Sequence, residues 1–344
     1  MPTRSELLDR ELRRAVRQVA HRSGGATGRG WTELAGLGTF SAALPVEAGG
    51  LHLGLVVAAA LCEELGGELA DPLLLDTMTA ADLLAADAER HRPLLDLVLA
   101  GRRRLALALH GDPTAKSTVD GWLVDGVIPF VTGADRADAI LLVARTGERS
   151  GVYLVPGDRP GCRAEPHRGA PTAALCVLRL DGLRLHPVDE LNEPVPERAR
   201  ARARIRRAAY LVGLATAAHA LTVRHVRQRR QFDRPLADNQ AVAFPLAELA
   251  IRIEAARRCV RHAAGLDDDG RSGELPGVGA AAMAAELALD TTRIGIHLHG
   301  AFGMTEAASI SRFYRHAAAE SLRDGGPTRL WREAGRLRLA AARR

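Results

Sequence analysis

At positions 229–236 the chain reads Arg229-Arg230-Gln231-Phe232-Asp233-Arg234-Pro235-Leu236, and Asn239-Gln240-Ala241 follows shortly after. The pattern predicts that one long helix ends before this stretch and that another begins after it. Side chains at such a junction converge with the first amides of the second helix, which suits an anion such as a pyrophosphate. Arginine adds paired hydrogen-bond donors. A capped turn with surface arginines is the alternative that the residues alone leave open.

This segment resembles the R-x-Q-F-G-x-P-(I/L) signature of the acyl-CoA dehydrogenase family, with its downstream Q-A pair. In that family the Arg, Gln and Phe of the signature reach the FAD of a neighbouring subunit. The resemblance therefore implies that Arg229, Gln231, Phe232 and Gln240 contact FAD. Asp233 stands where the family usually has Gly, a departure that we expect to affect the turn more than the ligand contacts.

A second resemblance lies further along, where the chain reads His297-Leu298-His299-Gly300-Ala301-Phe302-Gly303-Met304-Thr305-Glu306. Glycine lets the backbone come close to a ligand or to a partner helix. The stretch is similar to the family's Q-x-H-G-G-x-G-(F/Y)-T-x-E segment, which implies that His297, Gly300 and Gly303 contact the adenosine diphosphate half of FAD. Here His297 replaces Gln and Ala301 replaces a Gly. The alternative is a pair of interior histidines, and no metal site is predicted because no Cys or carboxylate stands at ligand spacing.

A third resemblance precedes both, in the run Pro129-Phe130-Val131-Thr132-Gly133-Ala134. In the family a Trp-Ile-Thr strand end lies beside the flavin ring. The resemblance implies that Phe130 takes the Trp place and that the Thr132 hydroxyl faces the flavin. An ordinary hairpin is the alternative that this run by itself leaves open.

The catalytic base of the family is usually a Glu in a Y-E-G-T segment near the C-terminus. The matching stretch here is Leu322-Arg323-Asp324-Gly325-Gly326-Pro327-Thr328. The resemblance implies Asp324 as the base, one methylene shorter than Glu, and Thr328 as a further FAD contact. The family's other location for the base falls at Ala203. Because Asp-Gly is also a routine turn pair, a purely structural Asp324 is the open alternative.

Substrate recognition is the least readable property of the sequence. Arg204 is our candidate for a CoA or carrier phosphate, although it lies in a run of six arginines between Arg198 and Arg207 that a solvated helix face would also explain. The family's T-E-P-x-A-G-S-D segment, which shapes the thioester pocket, has no clear counterpart.

The resemblance implies an FAD-dependent acyl-thioester dehydrogenase that removes an α-proton and transfers a hydride to flavin N5. Its substrate would be an acyl-CoA or a carrier-protein-bound acyl group, and its electron acceptor a flavoprotein or similar protein. A homodimer, homotetramer or heterotetramer is implied, because a neighbouring subunit completes the family's FAD site. Two alternatives remain: an FAD-binding subunit of a heteromeric dehydrogenase that lacks its own base, and a flavin oxidase or oxygenase on the same fold.

The order of predicted elements agrees with that resemblance. Helical periodicity extends to about Val98, short β-rich runs begin after Gly101, and helices return from about Pro196. We expect a mainly α protein with a central β domain. Its parts are an N-terminal helical domain (1–100), a small middle β-barrel or sandwich (101–194) and a C-terminal four-helix bundle (195–344).

Composition excludes several classes of protein. The formal net charge of +6 comes almost entirely from arginine, Lys116 being the only lysine, and acidic residues are interleaved with it, which disfavours nucleic-acid binding. The four cysteines form no C-x-x-C pair, which fits a reducing compartment. No apolar run has the length of a signal peptide or a membrane span, so a cytoplasmic protein is predicted.

Overall fold

The computed structural model describes residues 4–24, 28–111, 113–168, 172, 175–191 and 196–342. The chain divides into two compact units. Unit 1 comprises Met1–Ala58 and Ala70–Ala203, and unit 2 comprises Ala59–Leu69 and Arg204–Arg344. Helices come first, strands follow and helices return, so the predicted fold class is confirmed.

Unit 1 begins with helices, one of which is buried along most of its length. They are α1 (Arg4–Arg22), α2 (Arg29–Gly36), α3 (Gly54–Gly67, which continues into unit 2 from Ala59), α4 (Leu73–Ala85) and α5 (Ala88–Leu99). Residues 73–84 of α4 are all buried, including the polar side chains of Asp76, Thr77, Thr79 and Asp82. Two polar side chains of α4 bond to the first strand: Thr77 Oγ1 donates to Leu105 O at 3.1 Å, and Asp76 Oδ2 accepts from Leu107 N at 3.2 Å.

The sheet of unit 1 is mixed and has seven strands. They are β1 (Leu105–Ala108), β2 (Thr114–Thr118), β3 (Gly121–Thr132), β4 (Ala139–Thr146), β5 (Arg149–Pro156), β6 (Cys162–Pro166) and β7 (Leu175–Leu185). Their order is β1-β4-β2-β3-β7-β6, with β5 paired to β4. The apolar runs predicted β1, β3, β4, β5 and β7. Strand β2 was missed because four of its five residues are polar. Strand β6 was missed because it has only five residues, one of which is proline.

The register of β3 against β7 shifts twice, between Val124 and Gly126 and again between Ile128 and Val131. Such irregularities turn individual side chains away from the regular alternation. Phe130 lies in the second irregularity and has a positive φ of 59°. The strand then resumes regular pairing, with Thr132 opposite Leu175. The pairing of β3 with β7 thus departs from ideal geometry at two points, the second of which lies near the end of β3.

Unit 2 is helical. Its elements are α6 (Pro196–Gln228, from Arg204 onward), the two-residue strands β8 (Arg230–Gln231) and β9 (Arg234–Pro235), α7 (Gln240–Asp268), α8 (Glu274–His299), α9 (Ser309–Leu322) and α10 (Gly326–Ala341). Helix α8 packs against α7, α9 and α10. Its buried face is mostly alanine, which lets these neighbours approach closely.

Within unit 2, the C-terminal part of α3 crosses α6 at two glycines. A Cβ atom on Gly66 would lie 1.9 Å from the carbonyl oxygen of Tyr210, and one on Gly213 would lie 1.8 Å from that of Glu63. Real Cβ atoms do not approach backbone so closely. The two helices therefore meet backbone to backbone, and the crossing accepts only glycine at both positions.

Candidate functional site

The connection between α6 and α7 carries four of the predicted FAD contacts. Arg229 N donates to His225 O at 2.8 Å, and Leu236 N donates to Arg229 O at 2.9 Å, which closes the β8–β9 hairpin at its base. At the tip, Phe232 and Asp233 have positive φ values of 50° and 63°. Asp233 thus adopts the left-handed conformation for which the family's Gly is suited, and Asp tolerates it better than most residues.

The side chains of this hairpin face outward. Arg229 and Gln231 are exposed, and Phe232 is 93% exposed, which is unusual for a phenylalanine without a partner surface. Gln240 opens α7, where the Asn239 side chain caps the helix by accepting from Ala241 N at 3.0 Å. The predicted contacts are therefore available to a ligand or to another chain.

The second predicted segment ends α8 and forms the turn of Gly300–Met304. Gly300 has φ 65° and ψ −151°, a conformation open essentially to glycine alone, and no atom lies within 4 Å of where its Cβ would be. At Gly303 a Cβ would lie 2.7 Å from Ile296 O, so this glycine is required by packing. His297 is exposed. Gly300 thus leaves open space beside the backbone, while Gly303 holds the turn against α8.

Two histidines bring these segments together. The rings of His225 and His299 stack with centroids 4.0 Å apart and planes 19° apart. His225 precedes Arg229 by one helical turn, and His299 precedes Gly300. The sequence offered one signal for His225, because residues four apart share a helix face. Its stacking on His299 was not predicted.

His225, the first histidine of this pair, favours the neutral form of its ring. Burial lowers the pKa of His225 below its ordinary value, His299 and Arg229 lower it further, and a backbone hydrogen bond at Leu298 raises it in part. The Nδ1 atom of His299 lies 2.7 Å from Gly295 O, where its ring closes the end of α8. A proton added to His225 would place positive charge against both His299 and Arg229.

In unit 1, the predicted flavin contacts Phe130 and Thr132 lie at the end of β3. The Oγ1 atom of Thr132 is buried and has no hydrogen-bond partner among the described residues. An unsatisfied buried hydroxyl costs about 1–3 kcal/mol unless a ligand or water completes it. The ring of Phe130 stacks on His167, with centroids 4.9 Å and planes 23° apart. Nothing in the sequence had indicated His167.

The predicted base lies in a buried cluster of arginines and carboxylates in unit 2. We call it the Asp324 cluster, and it consists of Arg204, Arg207, Glu320, Asp324 and Glu333. Asp324 is 5% exposed and its Oδ2 accepts a hydrogen bond from Arg207 Nη1. Its Oδ1 lies 3.8 Å from Arg204 Nε. Both oxygens of Asp324 therefore face guanidinium groups.

Arg204, the predicted substrate contact, is held in the same cluster. It donates to the two oxygens of Glu333 at 2.8 and 2.9 Å. Burial alone would lower the pKa of Arg204, but the charges of Asp324 and Glu333 outweigh burial and raise it. The alternative of a solvated arginine run fails here, because Arg204, Arg206 and Arg207 are all buried. Thr328, the last predicted FAD contact, is exposed in the first turn of α10.

The Asp324 cluster determines how readily Asp324 can accept a proton. A proton accepted by either oxygen would weaken a buried ion pair, and breaking such a pair costs about 3–5 kcal/mol. As a barrier, about 3 kcal/mol slows a reaction by more than 100-fold. The geometry suits a counter-ion for Arg207 better than a general base.

Within the ranges given above, no three or more His, Cys, Asp or Glu side chains are grouped so that they could hold a metal ion. No helix among the described residues combines the length and the apolarity that crossing a bilayer requires.

Comparisons with known proteins agree over nearly the whole chain. Residues 195–333 match the family model described as acyl-CoA dehydrogenase, C-terminal domain. Cyclohexane-1-carbonyl-CoA dehydrogenase of Geobacter metallireducens is 28% identical over an alignment of 320 positions, which covers 84% of this chain and 83% of that protein. A variant of the Tcur3481-Tcur3483 steroid ACAD superposes with a TM-score of 0.88 at 30% identity and covers 98% of this chain and 99% of its own. The ChsE4-ChsE5 complex of Mycobacterium tuberculosis gives 0.87 at 24% identity, over 98% and 97%.

Proposed function

Since the chain belongs to the acyl-CoA dehydrogenase family and is an FAD-dependent oxidoreductase, we propose that it is the FAD-binding subunit of a heteromeric acyl-thioester dehydrogenase. The single observation that carries this proposal is the engagement of Asp324 by Arg207 and Arg204. A general base needs a free lone pair close to the proton that it removes. The residue at the family's base position is instead a buried counter-ion.

The chain's own residues fit FAD. Gly300 leaves the space that a side chain would fill, and Thr132 has a buried hydroxyl that lacks a partner among the described residues. Arg229 and Gln231 are exposed and able to donate hydrogen bonds, and the Arg229 guanidinium suits a pyrophosphate. When bound, FAD supplies the hydride acceptor of the reaction. The protein's contribution is to bind and orient it and to exclude water.

The missing base is the reason for proposing a second subunit. Ala203, at the family's other base position, has no ionisable side chain. An α-proton of a thioester is weakly acidic, so turnover requires a carboxylate supplied from elsewhere. Two of the structures with high similarity carry paired names, ChsE4-ChsE5 and Tcur3481-Tcur3483, which supports a complex of two different chains. The second of these is called a steroid enzyme, so a polycyclic acyl-CoA is the first substrate that we would test.

The proposal is tested by purifying the chain alone and together with a longer homologue encoded beside it. We expect flavin absorption bands in the complex after gel filtration, and dehydrogenation of a steroid-type acyl-CoA with an artificial electron acceptor only in the complex. An active homo-oligomer of this chain alone would contradict the proposal. Retained turnover after removal of the partner's carboxylate would contradict it as well.

A self-contained dehydrogenase with Asp324 as its base is the second candidate. The observation in its favour is the connection between α9 and α10, where Gly325 and Gly326 both have positive φ, 84° and 83°; because glycine adopts other conformations at little cost, this connection could change and reorient Asp324. This candidate predicts turnover by the chain alone. It also predicts loss of that turnover, with flavin retained, in the Asp324→Asn variant.

A further inference from the structure

Two buried polar atoms at one edge of the sheet in unit 1 lack hydrogen-bond partners among the described residues. One is Oγ1 of Thr132, at the end of β3, and the other is Nδ1 of His167, which follows β6. Buried polar groups in folded proteins are nearly always satisfied, and exceptions usually mark a missing water, ion or ligand. Two exceptions close together therefore need a common explanation.

The two residues flank the same position of the sheet. Thr132 pairs with Leu175 across β3 and β7, and His167 N donates to Leu175 O at 2.9 Å from the other side of β7. The ring of Phe130, two residues before Thr132, stacks on the imidazole of His167. An aromatic ring, an imidazole and a hydroxyl thus come from neighbouring positions of the sheet.

The backbone conformation of Phe130 also points to a ligand site. Its φ of 59° is rare for a residue with an aromatic side chain, and such conformations persist where surrounding structure enforces them, often beside ligands. The imidazole against its face is one such constraint. Ligand sites that are mostly apolar with a few convergent polar atoms have this composition.

Building on the proposed FAD site, we propose that His167 is a further contact to the flavin ring. The imidazole would lie against Phe130, and its Nδ1 would offer the flavin a hydrogen-bonding atom in addition to the Thr132 hydroxyl. An imidazole nitrogen donates or accepts according to its tautomer, and the polar edge of the isoalloxazine offers both donors and acceptors. One flavin would then satisfy both Thr132 Oγ1 and His167 Nδ1.

Three variants of the FAD-loaded protein separate contact from packing. His167→Phe keeps an aromatic ring but removes the nitrogen, and His167→Gln keeps hydrogen-bonding atoms but removes the ring. His262→Phe is the matched control, because His262 is exposed on α7. The measurements are the dissociation constant for FAD, the visible absorption bands of the bound flavin and its midpoint potential.

For His167→Phe we expect binding of FAD about fivefold weaker, the factor for one hydrogen bond of ordinary strength. We also expect shifts in the absorption bands and the midpoint potential. His167→Gln should keep a potential close to that of the wild type, and His262→Phe should change none of the three. A packing role alone would leave spectrum and potential unaltered in His167→Phe.

Wild-type affinity, spectrum and potential in His167→Phe would overturn the proposal. Unfolding of both His167 variants, seen by circular dichroism, would assign the residue to packing and overturn it too. A wild-type preparation, alone or with its partner, that holds no FAD would refute the proposed function instead. That outcome is distinguishable, because it appears in the spectrum of the wild type before any variant is made.

Discussion

Replacing Asp324 by asparagine should destabilise unit 2 rather than simply stop catalysis. Asn keeps the size of the side chain and one acceptor oxygen for Arg207, but it removes a negative charge that faces two buried guanidiniums. Removing one partner of a buried ion pair costs about 3–5 kcal/mol, and the retained hydrogen bond favours the lower end. We therefore expect the free energy of unfolding to fall by about 3 kcal/mol.

Denaturant unfolding followed by circular dichroism measures this loss directly, with Glu306→Gln as the control. Glu306 has a side chain 93% exposed and 3.5 Å from Arg315, so its pair should contribute less than about 1 kcal/mol. Two results together would refute this reasoning. The free energy of unfolding of Asp324→Asn would fall by less than about 1 kcal/mol, as for an exposed ion pair, and its turnover would be lost completely. That combination would mean that Asp324 is a base whose ion pair contributes little.

Other predictions concern packing, pH and thiol reactivity. Gly66→Ala should lower stability by about 3 kcal/mol because its Cβ meets backbone, whereas Gly335→Ala, which meets nothing, should raise it by about 0.5–1 kcal/mol in the same denaturation assay. The lowered pKa of His225 favours the neutral ring in the folded state, so stability should fall as pH drops below about 6.5, and less so in His225→Phe. Burial raises the pKa of the Cys176 thiol to about 11, so iodoacetamide at pH 8 should label exposed Cys259 and leave Cys176 unmodified by mass spectrometry.

The fold was predictable because its signals are local. Apolar periodicity and turn residues identified the helices and five of the strands, and the breaks between the helices of unit 2 fall where Gly, Asp and Pro cluster. The break between α6 and α7 was predicted, but the β8–β9 hairpin that lies in it was not. The missed strand β2 depends on its pairing with β3 and β4, and a pattern within five mostly polar residues does not contain that information.

The environment of the site residues was not predictable, because it depends on contacts between residues that are far apart in the sequence. Asp324 and Arg207 are separated by 117 residues, so no periodic pattern relates them. From the sequence the arginines of α6 fitted a solvated face as well as a binding site. Their burial follows from the acidic residues that α9 and α10 bring to them, which only the tertiary structure reveals.

The Asp324 cluster also bears on whether one substitution would give this chain a free carboxylate base. Asp324→Glu would restore the family's residue type, but the longer side chain would still end among the guanidiniums of Arg204 and Arg207. Freeing its oxygens requires changing those arginines too, and each change alone leaves an unpaired buried charge. Under the proposed function, the chain would therefore keep its buried ion pairs and bind FAD without a base of its own, and catalysis would depend on a carboxylate that another polypeptide supplies.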